Sequence, residues 1–175
     1  MVGVKRVMRR ACWLIRLVPV LAAAACGSAS GTALTVSQHR PATPVPGEPV
    51  PESAIHRLTA IADRAVRVNS GRGVAWASAV VTTQAKALTS ATPGDFVPGG
   101  EKTVVYLVTI KGHFVAGAAS VPSGAHAPTG TYISLVINAR TFRGTDFGLG
   151  SKPPPVAPGS LGPVTYLKVH TPAQK

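Results

Sequence analysis

Residues 103–110 read TVVYLVTI, the strongest strand pattern in the chain. A run that is apolar on both faces and rich in β-branched and aromatic residues predicts a buried strand at the centre of a sheet. We expect this strand to extend over residues 103–120, with a bulge or tight turn at Lys111-Gly112-His113. Residues 73–89 predict a second long strand with a bend or bulge, and we expect Trp76 at the junction of helix and sheet.

A hairpin is predicted further along the chain. Residues 131–139 and 142–149 have strand composition and flank the turn Asn138-Ala139-Arg140-Thr141. Residues 150–163 are rich in Pro and Gly and predict an irregular covering arm. Residues 164–167 predict a last short strand.

One helix is predicted, over Glu52–Asn69, with Ser53 as its N-cap. Its apolar residues recur at spacings of three and four, which favours packing against a sheet. A basic amphipathic helix lying on a membrane is the alternative. Residues 52–168 are therefore expected to form a single α+β domain, in which one N-terminal helix packs on a curved antiparallel sheet of about four strands. Residues 169–175 are expected to form a tail.

The predicted hairpin resembles the closing hairpin of PepSY-type and cystatin-like domains, which often carry an Asp-Ala-x-Thr-Gly turn. Here Asn138 stands in the place of the Asp, and Phe142 in the place of the Gly. The resemblance implies a helix cradled by a curved sheet. It implies no catalytic residue, because a fold does not fix a function.

The first 25 residues have the pattern of a secretion signal. Residues 1–10 carry four basic side chains, and residues 17–25 are apolar but too short to cross a bilayer. The signal ends in Ala23-Ala24-Ala25 followed by Cys26, which resembles the bacterial lipobox. The resemblance implies cleavage between Ala25 and Cys26 and attachment of diacylglycerol to the Cys26 sulfur, which with further acylation would anchor the chain stably.

Lipidation at Cys26 would place the protein on the extracytoplasmic face of the cell membrane. An ordinary secretion signal, cut near Ala25 or Ser30, is the alternative. Residues 26–51 have no hydrophobic periodicity and five prolines, which predicts a flexible to semi-rigid spacer. The chain as a whole is most similar to uncharacterised secreted lipoproteins of actinobacteria.

Residues 26–175 contain thirteen Lys and Arg against six Asp and Glu, a net charge of +7. A surface of this charge should attract anionic lipid headgroups or an anionic wall polymer, but a solvated basic face is the simpler interpretation. An envelope protein is the other partner considered. The basic residues are scattered, which does not favour nucleic acid. The chain contains no Gly-x-Ser-x-Gly, Ser-x-x-Lys, phosphate-binding Gly loop or His-Glu-x-x-His motif. We therefore predict no catalytic residue, no metal ligand and no cofactor.

These observations favour a non-enzymatic binding or accessory module of the cell envelope. Its working surface is expected on the sheet face or on the loops around Asp95 and Val121–Gly130. A cell-envelope hydrolase without a recognised motif and a small-solute-capturing lipoprotein are the alternatives.

Overall fold

The computed structural model describes residues 43–91, 100–116 and 121–170, which lie within one compact unit of the chain. The expected signal peptide, its cleavage site at Ala25 and Cys26, the linker before residue 43, and Asp95 lie outside the described residues.

The described residues form an α+β fold, as predicted, in which the strands make one open antiparallel sheet. The sheet has five strands in the order β4-β3-β2-β1-β5, one more than expected. The elements in chain order are α1 (Glu52–Val68), β1 (Arg72–Thr83), α2 (Gln84–Ala91), β2 (Val104–Val115), β3 (Thr129–Asn138), β4 (Gly144–Gly150), a 3-10 turn (Pro158–Ser160) and β5 (Thr165–Leu167).

Strand β2 lies at the centre of the sheet, which confirms the prediction made from residues 103–110. It pairs with β1 on one side and β3 on the other, and its residues 105–110 are all buried. The expected irregularity is also present, because the β2–β3 register shifts between Lys111 and Phe114. Both faces of this strand are covered, which explains its lack of polar alternation.

Helix α1 forms as predicted, but its N-cap is Pro51 and not Ser53. Ser53 already lies in the first helical turn, so its hydroxyl cannot take the capping position. The Pro51 carbonyl instead accepts the Ala54 N–H at 2.8 Å. Residues Ala54, Leu58, Ala62 and Val66 are buried at a spacing of four and pack in the core between α1 and the sheet. The apolar stripe of α1 is therefore used in the core of the fold.

The prediction of one long strand over residues 73–89 is wrong in its second half. Strand β1 ends at Thr83, and residues 84–91 form helix α2. Gln84, Ala87 and Leu88 are buried at helical spacing. The local sequence QAKALTSA favours this outcome, because Gln, Ala, Lys and Leu are good helix formers.

The two helices cover opposite faces of the sheet. On β1, Ala77, Ala79 and Val81 belong to the core that contains α1, whereas Val80 packs with α2. Successive side chains of a strand point to opposite faces, so Trp76 lies on the face away from α1. It contacts Tyr132 there, with ring centroids 6.4 Å apart, and does not lie at the junction with the predicted helix.

The covering arm and the last strand agree with the predictions. The Ser90 hydroxyl of α2 donates to the Val156 carbonyl at 2.8 Å, which ties the arm to this helix. Leu161 and Val164 of the arm pack on the smaller hydrophobic core, which lies between α2 and the sheet. Strand β5 then pairs with β1 at the edge of the sheet.

Candidate functional site

A cavity of about 640 Å³ opens between the start of α1 and the turn that joins β3 to β4. We call it the α1 pocket. Its lining residues come from the chain before α1, the first turns of α1, β2 and the β3–β4 turn: Thr43, Pro44, Pro51, Ser53, Ala54, Arg57, Tyr106, Ala139, Arg140, Thr141 and Phe142. Its size is in the range typical of small-molecule sites.

The β3–β4 turn is organised by one side chain, as expected for an Asx-type turn. Asn138 Oδ1 accepts hydrogen bonds from the Arg140 N–H and the Thr141 N–H, each at 3.0 Å, and from the Thr141 hydroxyl at 3.2 Å. The Phe142 N–H closes the turn onto the Asn138 carbonyl at 2.9 Å. The predicted turn is thereby confirmed. It positions the residues that lie beside the first turns of α1.

Phe142 has a positive φ of 56°, in the left-handed region that favours glycine. This backbone conformation occurs at the position where an Asp-Ala-x-Thr-Gly turn has Gly. The half-buried ring packs on the core, with its centroid 5.6 Å from that of Tyr106 and a tilt of 34°. Phe142 therefore adopts an unfavourable backbone conformation and supplies one wall of the α1 pocket.

Arg57 lies over this wall. Its guanidinium carbon is 3.9 Å from the centroid of the Phe142 ring, a cation–π contact. Within the described ranges, the one contact of salt-bridge length joins the His170 ring to Asp63, so Arg57 is held by an aromatic face and has no carboxylate partner there. An arginine held in this way keeps its hydrogen-bonding edge available.

Tyr106 forms the floor of the α1 pocket. Its side chain is 2% exposed, and its hydroxyl makes no hydrogen bond with the part of the chain that the structure describes. Burial raises the pKa of Tyr106 above 10.0, and the positive charge of Arg57 opposes that shift. The hydroxyl is therefore neutral at physiological pH and can donate a hydrogen bond.

The polar groups that line the α1 pocket are hydrogen-bond donors, and none of them is an acid. Its lining contains two guanidinium groups, from Arg57 and Arg140, and four hydroxyls, from Thr43, Ser53, Tyr106 and Thr141. No Asp, Glu, His or Cys is among these lining residues. The lining thus provides hydrogen-bond donors and positive charge, but no carboxylate, imidazole or thiol for acid–base or nucleophilic chemistry.

The opposite face of the sheet carries a different polar cluster. Ser78, Thr109 and Ser134 lie side by side on adjacent strands, at 2%, 0% and 5% exposure. The Thr109 hydroxyl has no partner among the described residues. A cleft of about 670 Å³ borders Ser134 and Tyr132 beside the covering arm. Ser78 and Thr109 do not line this cleft, so the hydroxyl row meets it only at Ser134, and the cleft has one charged lining residue, Lys152, where the α1 pocket has two arginines.

The expected working surfaces coincide only partly with this site. Tyr106 belongs to the sheet face under α1, but the Val121–Gly130 loop contributes nothing to the α1 pocket. Within the described ranges, no three His, Cys, Asp or Glu side chains come close enough to hold a metal ion. Arg57, Tyr106 and Phe142 were not predicted as site residues. The one signal for them was the aromatic residue in the glycine position of the turn.

Comparison with family models, with curated protein sequences and with solved structures finds no match to this chain. No helix in residues 43–91, 100–116 or 121–170 has both the length and the apolar character needed to cross a bilayer.

Proposed function

We propose that this protein is a membrane-anchored extracytoplasmic lipoprotein that acts as a non-enzymatic binding module of the cell envelope. In this proposal residues 1–25 are a signal peptide, Cys26 carries the lipid, and residues 26–51 separate the domain from the membrane. The support is the sequence pattern: a basic start, a short apolar stretch and three alanines before Cys26.

The observation that carries the binding role is the α1 pocket. Its volume suits a small ligand or the end group of a larger one. Arg57 and Arg140 supply positive charge where the lining contains no acid. Binding with no chemical step fits a lining of guanidinium groups and hydroxyls.

We further propose that the domain is cystatin-like or PepSY-like. Two features support this: α1 packs on one face of an antiparallel sheet, and Phe142 adopts the left-handed conformation at the glycine position of the related turn. Helix α2 and the arm on the other face would then be additions to the shared helix and sheet.

The partner in this proposal is an envelope protein or an anionic wall polymer, with membrane lipid held through Cys26. A net charge of +7 on residues 26–175 supports an anionic surface as the setting. Photo-crosslinking on intact cells, with a photoreactive residue in place of Thr43 at the rim of the α1 pocket, would test this. One dominant crosslinked species is expected, whereas diffuse crosslinking that matches a variant labelled at Lys168 would contradict a specific partner.

Anchoring is tested by growing cells with an alkyne fatty acid and labelling the full-length protein. The wild type and Cys12→Ser are expected to incorporate the probe, while Cys26→Ser is not. Cys12 is the only other cysteine and precedes the proposed cut, which makes it the matched control. Equal labelling of Cys26→Ser and the wild type would remove the lipoprotein proposal.

A further inference from the structure

We infer that the α1 pocket binds an oxyanion, a phosphate or carboxylate group, held by Arg57, Arg140 and the Tyr106 hydroxyl. This inference rests on the proposed binding function and specifies its ligand chemistry. The group belongs either to a free solute or to an ester such as a lipid headgroup or wall polymer.

The state of Arg57 is the first argument. Surface arginines are normally solvated or paired with carboxylates, but Arg57 is stacked on Phe142 at 3.9 Å. The contact restricts the guanidinium while leaving its in-plane N–H groups free to meet a ligand. A planar fork of donors matches the two oxygens of a carboxylate or a phosphate.

The state of Tyr106 is the second argument and is independent of the first. Its side chain is 98% buried and contributes to the lining of the α1 pocket, and its hydroxyl has no protein partner in the described residues. The hydroxyl is not among the fully buried unpaired side-chain atoms of the described residues, which are those of Thr82 and Thr109, so it is open to a group bound in the pocket. The neutral hydroxyl donates to an anion, whereas it offers little to a cation beside Arg57.

The other hydrogen-bond donors around the α1 pocket further restrict the kind of ligand that it can hold. The Arg140 and Thr141 N–H groups are already used by Asn138 Oδ1, so the turn does not offer a backbone nest. The side chains of Arg57, Arg140, Thr43 and Ser53 remain beside Tyr106. Two guanidinium groups and three hydroxyls around about 640 Å³ suit one compact anionic group and part of the molecule that carries it.

Calorimetric titration of the whole protein in the form in which cells process it tests the inference. The probes are inorganic phosphate, acetate and glycerol phosphate in low-salt buffer. Arg57→Gln is expected to weaken binding of the best probe about tenfold or more, and Tyr106→Phe about threefold to tenfold. Arg64→Gln removes the same charge from an exposed position of α1 outside the pocket and is expected to change affinity less than twofold.

Arg140→Gln provides a second pocket variant in an exposed turn, where folding is least affected, and should weaken binding at least threefold. Glycerol phosphate binding tenfold tighter than inorganic phosphate would identify an ester as the source, whereas the reverse order would identify a free anion. Absence of binding by all three probes, or equal weakening by Arg64→Gln and Arg57→Gln, would overturn the oxyanion site. Fatty-acid labelling at Cys26 and a crosslinked partner would still stand in that case, so the two proposals fail separately.

Discussion

Phe142 gives the sharpest test of the structure, because it combines a favourable ring contact with an unfavourable backbone conformation. Replacement by Ala removes the ring but keeps the Cβ at a φ of 56°. Replacement by Gly removes the ring and also relieves the backbone. The difference between these two variants therefore isolates the conformational cost.

The expected magnitudes follow from burial and backbone conformation. A fully buried Phe→Ala change costs about 3–5 kcal/mol, and Phe142 is only half buried, so we expect a loss of about 2 kcal/mol in the free energy of unfolding. The left-handed conformation costs a residue with a Cβ about 1 kcal/mol more than Gly. Phe142→Gly should thus be about 1 kcal/mol less stable than the wild type and about 1 kcal/mol more stable than Phe142→Ala.

Urea unfolding of the purified protein, followed by circular dichroism, measures these differences. Arg140 lies two residues earlier in the same turn and is not among the residues of positive φ, so it supplies the control pair. At that position the Gly variant should be less stable than the Ala variant, the opposite order. If Phe142→Ala is as stable as Phe142→Gly, the left-handed conformation and the reasoning built on it are wrong.

Three further predictions concern the turn, the core and the pocket floor, each measured by the same urea unfolding. Asn138→Ala loses an acceptor of three hydrogen bonds and should cost about 1–2 kcal/mol, while Asn138→Asp keeps the acceptor and should stay within about 0.5 kcal/mol of the wild type. Leu58→Ala, at 0% exposure, should cost about 3 kcal/mol, against less than about 0.5 kcal/mol for Val68→Ala at 47% exposure. The raised pKa of Tyr106 keeps its proton in the folded state after the unfolded chain loses it near 10.0, so stability falls as pH rises past 10. Tyr106→Phe should therefore lose less stability than the wild type between pH 9 and pH 11, and an equal loss would contradict the raised pKa.

The elements with a strong local pattern could be predicted from the sequence. The continuous apolar run of β2 and the four-residue stripe of α1 each need burial on the faces where the structure buries them. Helix α2 was missed because Val80 and Val81 carry a strand signal that continues into an Ala-rich segment. The spacing of Gln84, Ala87 and Leu88 was the available helical signal.

Trp76 shows a different limit of prediction from sequence. Its size favours burial, but its position relative to Ala77 decides which face of the sheet it occupies. Fixing that face requires the register between β1 and β2, which is irregular between Arg72 and Trp76. A single strand pattern does not contain that information.

The α1 pocket depends on contacts between residues far apart in sequence, and this is why local patterns did not predict it. Arg57 and Phe142 meet only because α1 packs on the sheet with its first turns beside the β3–β4 turn. Phe142 was nevertheless noticeable as the residue that stands where an Asp-Ala-x-Thr-Gly turn has Gly. Glycine would relax the backbone there, but it would leave Arg57 without a stacking surface and Tyr106 without its aromatic neighbour. A strained residue persists where the surrounding structure uses it, so the departure from the turn pattern and the support of the α1 pocket have one physical explanation.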